Sequence, residues 1–148
     1  MPHLGILYTP NLDKPAAEGG VDMTGLCRAL ANAMLAVRDE LDRQVFPTGG
    51  TRVLAYPAAH CAVSDGGAAG EAAGLGGDYA FVYLNLRMGK GRSALVHQRV
   101  GEALNAVVAE RFAEQFERRA IGVTLQIDEG HEVFDSKSSS IHPLFQKR

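Results

Sequence analysis

The chain has 148 residues, of which 46% are hydrophobic and 22% charged, with a formal net charge of −2. That length is enough to bury roughly 70% of the surface of the unfolded chain, and one domain is expected. The balance of charge offers no basic field for nucleic acid or anionic membrane. Cys27 and Cys61 lack a C-x-x-C spacing, and no apolar run nears the ~20 residues of a membrane span.

In chain order, Pro2 stands directly ahead of a short apolar run, residues 4–8, that reads as a strand closed by Thr9-Pro10-Asn11. The N-terminus lacks the positive region and apolar stretch of a secretory signal, so a soluble cytoplasmic protein is the expectation. A helical stripe follows through Met23, Leu26, Leu30, Ala33 or Met34, Val37 and Leu41, with Asp22 as its N-cap. Phe46-Pro47-Thr48-Gly49-Gly50 ends it. A strand over 51–63 comes next, and Pro57 within it implies an edge or a bulge.

Residues 65–78, DGGAAGEAAGLGGD, have little to bury and predict a mobile link. Beyond the link the pattern repeats. Residues 79–88 read as a strand. Ser93 can cap a helix with the stripe Val96, Val100, Leu104, Val107 or Val108, Phe112 and Phe116. Ile121, Val123, Leu125 and Ile127 then alternate as strand residues do. The expected organisation is a β-α-β unit over 2–64, the link 65–78, a second β-α-β unit over 79–130 and an irregular tail over 131–148. The fold class this implies is α+β, a tandem β-α-β repeat forming a four-stranded mixed sheet with two helices on one face. The strand over 79–88 is apolar on nearly both sides, so its second face calls for a cover from another subunit.

Three features can carry chemistry. Removal of Met1 would make Pro2 a terminal secondary amine, able to take a proton. Ordinary α-amino groups titrate near ~8, and apolar burial with cations nearby lowers that value toward the range general-base catalysis requires. Proline is equally tolerated as an inert first residue of a strand. The turn MGKGRS, residues 88–93, projects Arg92 beside a helix start, where a carboxylate fits the guanidinium fork; a solvated surface turn has the same sequence. Arg52 opens the second strand. The five histidines are scattered, and HEVFD is not the H-E-x-x-H zinc motif, so no metal is expected. YAFVYL, residues 79–84, approaches the aromatic core of an RNA-recognition strand but lacks its leading basic residue and glycine.

MPH opening a strand, Asn11-Leu12, FP ahead of Arg52, DYAFVYLNLRMGKGRS at 78–93 and IHPLF near the end together resemble, from end to end, the 5-carboxymethyl-2-hydroxymuconate isomerases of the tautomerase superfamily. The resemblance implies a homotrimer without metal or organic cofactor. Pro2 would be the catalytic base, and Arg52 and Arg92 would bind the carboxylates of a small di- or tricarboxylate, with Arg87 and Lys90 as substitutes if the turn points elsewhere. The implied reaction ketonises the dienol 5-carboxymethyl-2-hydroxymuconate to its 2-oxo-3-ene isomer in homoprotocatechuate (4-hydroxyphenylacetate) breakdown. The chain departs from the family pattern at Leu7, where an acidic residue is usual, and in the longer or glycine-richer segments 13–20 and 66–77. Those departures leave open a superfamily enzyme for another enol or unsaturated acid, or a non-catalytic oligomeric binding protein.

Overall fold

The computed structural model describes residues 2–146; Met1, with its expected removal, and the last two residues of the tail lie outside them. The alternating apolar residues form β1 (His3–Tyr8), β2 (Arg52–Pro57), β3 (Ala80–Met88) and β4 (Ile121–Glu129). They make one sheet in the order β2-β1-β3-β4. The outer pairs, β1 with β2 and β3 with β4, are parallel, and the central pair β1 and β3 is antiparallel. Each parallel pair is thus one β-α-β unit, as expected, and the two units join through their first strands.

Both long helices, α1 (Met23–Ala36) and α3 (Ala94–Arg118), cover one face. Asp22 caps α1 by accepting from the Gly25 amide at 2.9 Å, and Ser93 caps α3 by accepting from Val96 at 3.2 Å. Leu26, Leu30 and Met34 of α1 and Val100, Leu104 and Phe112 of α3 form one core with Leu4 and Ile6 of β1 and Val82, Leu84 and Leu86 of β3. All these side chains are fully buried. Burial of one such side chain stabilises by about 1.5–3 kcal/mol.

Four expectations change. The helical stripe stops at Ala36, not Leu41, which is 70% exposed. Asp39 competes for the backbone there: its carboxylate accepts from the Leu41 and Arg43 amides, and the chain turns back through an Arg38–Gln44 bridge. The strand expected over 51–63 covers only Arg52–Pro57. It lies at the sheet edge, where proline costs no ladder bond.

The glycine-rich link carries a short helix, α2 (Ala68–Ala72), whose first amides donate to Asp65 while the Gly70 amide donates to the Tyr79 hydroxyl at 2.8 Å. A Cβ on Gly70 would collide with the Gly76 carbonyl and come within 2.6 Å of the Tyr79 ring, so glycine serves close approach here. In α3, Phe116 points out, and Gln115 takes the buried position instead, donating to the carbonyls of Gly19 and Gly20.

The second face of the sheet carries Leu7, Leu54, Tyr56 and Phe81, the first three about half exposed at 52%, 53% and 51%. Its apolar residues cluster on one part of the face, while Asn85, Gln126 and Thr124 make the neighbouring positions polar, and no helix among the described residues covers it.

Candidate active site

Strand register brings distant residues to one end of the sheet. His3 is the direct neighbour of Arg52 on β2 and of Arg87 on β3. Pro2, one residue earlier and buried, therefore lies where β2 begins and β3 ends. β3 runs out at Met88 into the glycine turn, with Gly91 at φ +97°, a conformation only glycine adopts without strain. Arg92 leaves that turn one residue before the cap of α3.

Arg52 and Arg92 grip the same short segment from two sides. The carbonyls of Gly49 and Thr51 accept from Arg52 Nη1 at 2.8 and 3.1 Å. The carbonyl of Val45 accepts from Arg92 Nη2 at 3.2 Å, and that of Gly89 from Arg92 Nη1 at 3.0 Å. The Arg92 guanidinium carbon also sits 5.4 Å from the centre of the fully buried Phe46 ring, a cation–π contact that fixes its plane. Residues 45–51 thus form a bracket that positions both cations.

Among the described residues, neither arginine has a carboxylate within ion-pair distance. Their charge is balanced only by carbonyl dipoles, which leaves it available to an anionic ligand.

His3 adds to this field. Its partial burial, with the cations Arg52 and Arg87 beside it, holds the imidazole below its ordinary value, against a smaller opposing pull from Asp135. The imidazole is therefore neutral at pH 7. Arg87 lies on the open face, its Nη2 3.6 Å from Glu132 of the segment after β4. Lys90 is exposed in the turn. Leu7 lies on the open face.

The tail contributes a residue that periodicity could not find. Its turn, His142–Phe145, packs on the Thr48–Gly50 turn so closely that a Cβ on Gly49 would stand 2.6 Å from His142 Cα. His142 Nδ1 is buried there without a hydrogen-bond partner. The motif IHPLF was the only signal of this contact in the sequence.

A cavity of about 310 Å³ lies beside the bracket, lined by Gln44, Val45, Thr48, Gly49, His142 and Phe145 among others. A larger one, about 410 Å³, sits at the other end of β1 around Thr9, Asn11, Cys61 and Tyr79, and neither cavity is lined by Pro2, Arg52 or Arg92. No cluster of three His, Cys, Asp or Glu side chains among the described residues is placed to hold a metal. Among the described residues no helix is long and apolar enough to cross a membrane.

Comparison with known proteins places the chain in a family. The family model described as 5-carboxymethyl-2-hydroxymuconate isomerase matches residues 2–145. A curated 5-carboxymethyl-2-hydroxymuconate Delta-isomerase of Escherichia coli is 29% identical over 99% of this chain and 100% of its own. A crystal structure of a 5-carboxymethyl-2-hydroxymuconate delta-isomerase superposes with a TM-score of 0.93 at 55% identity, covering 100% of this chain and 95% of that one. A 5-carboxymethyl-2-hydroxymuconate isomerase from Deinococcus radiodurans R1 superposes with a TM-score of 0.77 at 33% identity, covering 99% and 95%.

Proposed function

The chain belongs to the 5-carboxymethyl-2-hydroxymuconate isomerase family and is an isomerase, and on that premise we propose that Pro2 is its proton shuttle and Arg52 and Arg92 its carboxylate clamps. With Met1 removed, the Pro2 nitrogen is a secondary amine that can accept a proton. Burial of that nitrogen would disfavour its ammonium form, which is what a general base working near neutral pH requires.

The substrate is a conjugated dienol bearing carboxylates. Arg52 and Arg92 hold its charged ends and spread the negative charge that develops on the dienolate. The Pro2 nitrogen takes the hydroxyl proton, the oxygen becomes a carbonyl, and the conjugated electrons shift outward. The prolinium then returns a proton to a carbon farther along the same conjugated system, restoring the neutral amine. Atoms and charge balance over the cycle. The hydrogen-bonded bracket fixes both clamps before substrate arrives, so little orientation remains to be gained at the moment of reaction.

The observation that most supports this reading is that the β1–β2 register sets a buried Pro2 next to the start of β2, where Arg52 stands, while Arg92 binds the same 45–51 segment as Arg52. The open apolar face, with Leu7, Leu54, Tyr56 and Phe81, supports assembly with further copies into a trimer. The reaction belongs to cytoplasmic breakdown of aromatic acids such as homoprotocatechuate.

Ultraviolet assay of 5-carboxymethyl-2-hydroxymuconate ketonisation tests the reading. Pro2→Ala should lose roughly 10²–10⁴ in kcat, the usual contribution of a positioned general base. The native protein should lose kcat/KM on the acidic side as Pro2 protonates. A flat profile from about pH 5 to 9 would remove the amine from the mechanism, and native kcat in Pro2→Ala, which keeps a primary amine, would remove the need for the proline ring. Intact mass decides whether Met1 is gone.

A further inference from the structure

We propose that Arg87, flanked by His3, receives a third carboxylate of the substrate and so selects tricarboxylates over dicarboxylates. The inference rests on the reading above and extends the same site.

Three basic side chains share one row across three strands. His3 faces Arg52 on one side and Arg87 on the other, and all three lie on the sheet face opposite the helices. Like charges placed directly opposite one another on a sheet repel. Here the central His3 is neutral, so Arg52 and Arg87 stand two strands apart, and an anion on the row between them would be attracted to both.

The anions now nearest are carboxylates of the segment after β4. Glu132 lies 3.6 Å from Arg87, with both side chains about half exposed, at 46% and 53%. Asp135 acts on His3 from the same segment and is also paired with Lys137. A solvent-exposed pair at that distance is weak and exchangeable. Glu132 is thus a placeholder that a better-positioned carboxylate can displace.

Substrate chemistry supplies the demand. A muconate is a dicarboxylate, and the carboxymethyl branch adds a third carboxylate. Arg52 and Arg92 account for two. Arg87 is one strand from Pro2 and on the same row as Arg52, whereas Lys90 sits out in the turn. Its guanidinium fork suits a carboxylate, and the neutral imidazole of His3 can add one N–H donor without adding charge.

The test compares two substrates, 5-carboxymethyl-2-hydroxymuconate and the dicarboxylate 2-hydroxymuconate, in the full-length protein. Arg87→Gln should lower the ratio of kcat/KM for the tricarboxylate over the dicarboxylate by roughly 10-fold to 100-fold, the worth of a charged hydrogen bond. Arg87→Lys should fall between, and Glu132→Gln should lower KM for the tricarboxylate by freeing the guanidinium. An unchanged ratio in Arg87→Gln, or in Arg87→Lys should the first variant fail to fold, overturns the assignment. Native protein inactive on both substrates would instead overturn the functional reading itself.

Discussion

Replacing Gly49 with alanine pushes the C-terminal turn off the bracket that holds Arg52. The added Cβ would stand 2.6 Å from His142 Cα, 3.0 Å from His142 Nδ1 and 3.2 Å from Phe145 Cδ2. The nearest atom is backbone, so no side-chain rotation relieves it. Alanine at an unstrained position ordinarily stabilises by about 0.4–1 kcal/mol through the unfolded chain, whereas overpacking costs about 1–3 kcal/mol. The second effect wins here. The expected net loss is about 1–2 kcal/mol, read as a lower urea midpoint with an unchanged m-value.

Because the Gly49 carbonyl accepts from Arg52 at 2.8 Å, KM should rise in the same variant. Deleting residues 138–148 removes the obstructing turn, so Gly49→Ala in that background should be close to neutral for stability. Such a cycle isolates the contact between the two turns. A native urea midpoint and native KM in Gly49→Ala would refute the packing of the tail against the bracket.

Arg92→Ala should raise KM and lower kcat together, since the clamp serves both ground and transition states; steady-state kinetics with unchanged constants would reject its role. The His3 imidazole should titrate below 6.5 by NMR, its burial and the neighbouring arginines disfavouring the charged form. Its midpoint should move up in Arg87→Gln. The sign for stability follows: a base with a depressed folded-state pKa costs nothing above about 6.5, and its cost grows as pH falls through that value toward the folded midpoint. A His3→Gln protein should therefore lose less stability than native over that interval in urea melts at stepped pH, and an identical loss would count against the perturbation. Leu54→Glu, on the open face of the edge strand β2, should shift the proposed trimer to a smaller species by sedimentation analysis; an unchanged sedimentation coefficient would remove that face from the proposed interface.

Period-two and period-three-to-four alternation found the four strands and two long helices, though not every boundary, because a half-buried strand or helix must repeat its apolar residues at its own geometric period. The caps Asp22 and Ser93 were equally legible, since each accepts from the amide three residues on. Local chemistry misled where a second pattern overlaid the first. Leu41 keeps the helical spacing, yet the Asp39 carboxylate gathers the Leu41 and Arg43 amides and ends α1 at Ala36. The glycine-rich link shows composition and conformation parting company. Its glycines read as slack, but Gly70 lets the backbone approach the Tyr79 ring and donate to its hydroxyl.

What the sequence alone determined is whatever depends on neighbours along the chain: the elements, their caps, and the chemical potential of a proline behind the initiator methionine and of an arginine beside a helix start. Tertiary structure decided everything that depends on neighbours across it. Arg52 and Arg92 meet on residues 45–51, His3 stands between Arg52 and Arg87, and His142 closes on Gly49. No periodicity encodes those meetings, because strand register and close backbone approach are set by how the whole core packs.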